Sequence, residues 1–95
     1  MIAEVSIFPI GVGESLSGPV AEAFRIIRAS RLPYEHHAMG TNLEGDWDEV
    51  MAVIRACRDR LLESSHRVSI TIRIDDRRGA HNRMPRKVAS ADAKL

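Results

Sequence analysis

The stretch from Arg67 to Asp75, R-V-S-I-T-I-R-I-D, constrains the fold more than any other part of the chain. Its β-branched residues recur at every second position: Val68, Ile70, Ile72 and Ile74 face one side, while Ser69, Thr71 and Arg73 face the other. A strand of this kind has one packed face and one polar face, so its sheet must be covered on a single side. Residues 2–9 repeat the pattern, with Ala3, Val5 and Ile7 opposed to Glu4, Ser6 and Phe8.

Between these strands the period changes from two to three or four. Ser17 followed by Pro19 reads as a helix start, and Val20, Ala23, Phe24 and Ile27 make an apolar stripe that runs to about Ala29. Pro33 restarts an extended chain, and Y-E-H-H-A with M-G-T-N-L-E fits two short strands turning near Ala38 to Gly40, or one long bent strand. Asp46 and Glu49 have the spacing of an acidic capping box, and Trp47 anchors the helix start. Val50, Val53, Ile54, Cys57 and Leu61 then follow the strongest helical spacing in the chain. The order strand, helix, strand, strand, helix, strand is the ferredoxin-like βαββαβ arrangement of an α+β domain, with two helices on one face of an antiparallel sheet. The other sheet face, carrying Glu4, Ser6, Phe8, Ser69, Thr71 and Arg73, has no cover of its own and suits subunit packing or a ligand.

Ninety-five residues make one domain with a modest core, which assembly would help to stabilise. We divide it into a ferredoxin-like body, residues 1–76, and a basic tail or intersubunit arm, residues 77–95, where periodicity fails. A formal charge of +1 gives no broad attraction for nucleic acid or acidic membranes, and neither partner is expected. Apolar runs fall short of the ~20 residues that cross a bilayer, and M-I-A-E-V-S-I-F-P lacks the features of a signal peptide. With a single cysteine, Cys57, a cytoplasmic location is the expectation.

Three blocks, A-E-V-S-I-F-P-I-G, M-G-T-N-L-E-G-D-W-D-E-V and I-R-I-D-D-R-R followed by K-V-A-S, occur in an order and spacing that resemble the small thiamine-binding family known as the YkoF-like or UPF0045 group. The resemblance implies a ferredoxin-like subunit that forms dimers or tetramers through its sheet. It also implies binding of thiamine or a related pyrimidine such as hydroxymethylpyrimidine, without catalysis and with no cofactor.

Such a ligand needs an apolar wall, hydrogen-bonding groups for the pyrimidine edge and a nearby carboxylate. Ser6 and Thr41 supply hydroxyls, Glu4 or Glu44 a carboxylate, His37 a partner for orientation, and Phe8 and Met39 a wall. Gly40 permits close approach, and Arg73 pairs with a carboxylate at the interface. These nine residues are the candidate site, expected against the open sheet face near a subunit boundary.

Other signals are weaker. His36 and His37 point to opposite faces and cannot share an ion, so no metal site is expected. Cys57 lies on an apolar stripe and reads as an inert thiol, and G-V-G-E-S-L-S-G lacks the phosphate-loop lysine. The alternative function is an oligomeric assembly or regulatory protein that uses its open face for protein contacts alone.

Overall fold

The computed structural model describes residues 1–11, 17–79, 81 and 83–95. Along the chain run β1 (Ile2–Pro9), α1 (Ser17–Ser30), β2 (Tyr34–His37), β3 (Gly40–Glu44), α2 (Trp47–Leu62), β4 (Val68–Asp75) and α3 (Arg83–Asp92). Strand order is β2-β3-β1-β4, with every neighbouring pair antiparallel. The fold is the α+β, ferredoxin-like one that the periodicities predict. The pair of short strands, joined through Ala38 and Met39, replaces the single bent strand. The phosphate-loop reading falls largely on residues 12–16 and lies outside the described residues.

Register assigns each side chain to a face. Ala3 opposes Leu43 and Ile74, and Val5 opposes Thr41 and Ile72, so these six share the helix-covered side. Ala3, Val5 and Leu43 are buried there against Ala23 and Ile27 of α1 and Val50, Val53, Ile54 and Cys57 of α2. All five apolar residues that define the helical spacing of α2 are buried. Its start is closed by Glu49, whose Oε1 accepts from the backbone N–H of Asp46 at 3.0 Å. Helix α1 ends where Arg31 takes the left-handed conformation, φ 64°.

The open face carries Ile2, Glu4, Ser6 and Phe8 of β1, opposite Asp75, Arg73, Thr71 and Ser69 of β4. At one end of it Ile2 stands between Glu44 and Asp75 in a single cross-strand row. This row holds α3, an element that the sequence pattern does not reveal. The backbone N–H groups of Arg83 and Met84 donate to the two oxygens of Glu44 at 2.6 and 3.3 Å. Asp75 Oδ2 accepts from Arg83 Nη2 at 2.9 Å and Lys87 Nζ at 2.6 Å. A carboxylate at the first N–H groups of a helix satisfies orphan donors and faces the positive end of the helix dipole. Pro85 is tolerated because it lies in the first turn, where its missing N–H costs nothing. Met84 is buried, and every residue of α3 beyond it is exposed.

Candidate functional site

Strand β1 is longer than the strand beside it. Residues Ile2–Pro9 pair with β4, but only Ile2–Val5 pair with β3, because the hairpin turns back at Ala38 and Met39. Among the described residues, the β3-side edge of β1 has no strand partner from Ser6 onward. Backbone direction along this edge can be followed residue by residue. Met1 C=O accepts from Gly45 N–H, and the Val5 carbonyl lies against Gly40. Since backbone groups alternate sides along a strand, the N–H and C=O of Ile7 point the same way, past the end of β3.

They point toward a cavity of about 240 Å³ between this gap, α1 and α2. Val20, Ala23, Phe24 and Ile27 of α1 form one wall, with Val53, Ile54 and Cys57 of α2 behind. Polar groups are few: the Thr41 hydroxyl and the backbone of β1, with Ser6 and His37, whose side chains belong to the open face, at the rim. The mouth is marked by Phe8 and Met39, the latter 82% exposed. Gly40 closes the hairpin tip onto β1, since a Cβ at that position would meet the Val5 carbonyl oxygen at 2.7 Å.

Thr41 is buried, with Oγ1 2.9 Å from His36 Nδ1. The His36 ring stacks on Phe24, with ring centroids 3.6 Å apart and planes at 19°. Desolvation, and then the charge of Arg28, lowers the His36 pKa below its ordinary value, which favours the neutral ring. In either neutral tautomer Thr41 keeps one hydrogen-bonding function for the cavity. If the hydroxyl donates to Nδ1 its lone pairs remain; if it accepts, its proton remains. Behind it, burial pushes the Cys57 thiol up to about 11, and its Sγ lies 3.8 Å from the Ala23 carbonyl oxygen. That thiol is a wall, with negligible thiolate at neutral pH.

The nine expected residues divide. Ser6, Phe8, His37, Met39, Gly40 and Thr41 line the cavity together. Thr41, however, lies on the helix-covered face, because its register partner is Val5 and a strand alternates sides. Glu4 stays on the open face between His37 Nε2 at 3.5 Å and Arg73 Nη1 at 3.7 Å, so Arg73 finds its carboxylate within the chain. Glu44 is buried at the opposite end of β1, with both oxygens engaged by α3. The carboxylates therefore stand apart from the cavity. Phe24, Val20 and the Ile7 backbone were not among the expected site residues. An apolar helix stripe reads as core whether it packs on side chains or borders a space, and a backbone edge has no residue-type signature.

Among the described residues, no cluster of three or more His, Cys, Asp or Glu side chains is placed to hold a metal ion. No helix among them is long and apolar enough to cross a membrane.

A family profile described as "Thiamine-binding protein" matches residues 3–92, nearly the whole chain. The chain belongs to this family. Relatives agree: a UPF0045 protein of Mycobacterium tuberculosis is 40% identical over 96 residues, covering 100% of this chain and 94% of that protein. The solved structure of a hypothetical UPF0045 protein from Methanocaldococcus jannaschii superposes with a TM-score of 0.86 at 37% identity, covering 99% of this chain and 96% of that one. A Thermotoga maritima structure titled as a putative thiamine biosynthesis/salvage protein shares the fold, with a TM-score of 0.83 at 20% identity over 95% of this chain and 96% of that one. As a thiamine-binding-family member, the chain keeps its hydroxyls, aromatic rings and unpaired strand edge at one end of the sheet.

Proposed function

We propose that this family member binds thiamine or a related aminopyrimidine, non-covalently and without catalysis, with the pyrimidine ring in the cavity beside Ile7. The observation that carries the reading is the unpaired strand edge. One residue offers a donor and an acceptor side by side there, the complement of a ring nitrogen next to an exocyclic amino group. Apolar walls and the Phe24 ring suit the faces of a heterocycle, and Thr41 adds a polar contact, with Ser6 at the rim. At about 240 Å³ the space is smaller than the ~300–1,000 Å³ of sites that engulf a drug-sized ligand. The rest of the ligand therefore extends toward Phe8 and Met39.

That mouth borders the open sheet face, so a second subunit packed on the face would adjoin the ligand. Dimer or tetramer formation there, in the cytoplasm, belongs to the same reading. The exposed Phe8 also favours the second reading, in which the face serves protein contact alone.

Calorimetric titration separates the two. We expect saturable binding of thiamine or hydroxymethylpyrimidine, lost for an analogue whose amino group is replaced by hydrogen. Thr41→Ala should weaken binding by roughly five- to tenfold, about 1 kcal/mol, with assembly intact. Equal affinity for the deaminated analogue, or no binding by folded protein at millimolar ligand, would overturn the cavity assignment.

A further inference from the structure

We propose that the groove between α3 and the described residues that precede it, Arg77, Arg78, Gly79 and His81, binds a compact oligophosphate anion. Its charge is sharply localised. Residues 77–95 hold six of the fourteen Lys and Arg residues but one of the thirteen Asp and Glu, a net +5, while residues 1–76 carry a net −4. Arg77, Arg78, His81, Arg86, Lys87 and Lys94 line a concavity of about 880 Å³ that has no carboxylate among its lining residues.

Helix geometry produces the convergence. Arg83, Arg86, Lys87 and Ser90 follow the spacing of one face of α3, Lys94 joins them from the turn beyond it, and Arg77 and Arg78 from the end of β4. Asp75 neutralises part of the charge by holding Arg83 and Lys87. Arg77, Arg78, Arg86 and Lys94 have no ion-pair partner among the described residues. Like charges confined to a concave surface repel, and a multivalent anion relieves the repulsion at several of them at once. The anchors Glu44 and Asp75 fix the first turn of α3, so that wall of the groove does not have to be ordered by its ligand.

The side chains narrow the chemistry. Guanidinium groups give planar two-point contacts that match phosphate oxygens. Within α3 the lining runs from Arg83 to Ser90, roughly 10 Å of helix, more than a single phosphate spans, so several linked phosphates fit better than one. No Phe, Tyr or Trp stands among the described lining residues, and the single His81 ring is less than the row of aromatic rings on which successive bases stack. Nor is this the polar end of the cavity. The two share no lining residue and lie at opposite ends of β1, roughly 20 Å apart along the strand.

The test uses the full chain with inorganic tripolyphosphate as probe, by calorimetry and thermal melting, with sulfate at matched ionic strength as control. We expect saturable binding and a rise in the melting midpoint that sulfate does not reproduce. In Arg78→Gln/Arg86→Gln the affinity should fall at least tenfold, with the ligand-free melting curve and the pyrimidine titration unchanged. Absence of saturable binding, equal binding by the double variant, or tighter binding of a single-stranded oligonucleotide than of tripolyphosphate would overturn the proposal.

Discussion

The two ends of β1 handle polar groups in opposite ways. At the Ile2 end, Glu44 and Asp75 flank the strand and both are occupied: one caps α3 and the other ties down Arg83 and Lys87. Toward Phe8 the neighbouring strand stops early, leaving backbone groups of Ile7 and the hydroxyl of Thr41 beside an apolar space. Buried polar groups are nearly always hydrogen-bonded, so the comparison separates structural from recognition chemistry. The buried carboxylate of Glu44 organises the fold because its demand is met within the chain. The strand edge is suited to binding because no strand among the described residues meets its demand.

The comparison can be broken first at Glu44. Glu44→Ala removes two hydrogen bonds to an ionised acceptor and leaves the first turn of α3 without it, which should cost about 3 kcal/mol locally. Hydrogen exchange over residues 83–92 should accelerate strongly while the pyrimidine titration is preserved. Unchanged protection would mean that α3 is held by something other than this row. The other end is probed by Gly40→Ala, whose new methyl meets the Val5 carbonyl at 2.7 Å. We expect a loss of about 1–3 kcal/mol in chemical denaturation and weakened ligand binding, with α3 exchange untouched. A neutral outcome would show that the hairpin tip is not a tight closure.

The smallest effect is one of pH. Hydrogen bonds from Arg83 and Lys87 lower the Asp75 carboxyl to about 2, from 3.8. A depressed carboxyl pKa contributes stability that is complete above the unfolded value and is lost as pH falls through the folded one, so α3 should loosen between about pH 4 and pH 2. Asp75→Asn should abolish that part of the pH dependence of exchange in residues 83–92. Retention of the same profile would assign the acid sensitivity elsewhere.

What the sequence discloses follows the same division. Period-two runs such as Val68–Ile74 and the spacing from Val50 to Leu61 are local signals of burial, so the sheet, α2 and the covered face were legible. Helix α3 was not, because the acceptor for its first N–H groups is Glu44, 39 residues away in sequence. The site was legible in part. Ser6, Phe8, His37, Met39, Gly40 and Thr41 do meet, but the face of Thr41 depends on the register of a five-residue strand. The carboxylates were grouped with them because residue type announces charge without announcing which neighbour has claimed it.

The length of the β2–β3 hairpin acts as a ruler. Had each strand two more residues, the ladder with β1 would run on past Val5, Ile7 would find its partner, and the space would be filled from within. A container and a solid core would then differ by four residues at a turn. Loop length in such a domain is thus a direct means of opening or abolishing a chamber while the sheet, its order and its helices stay as they are.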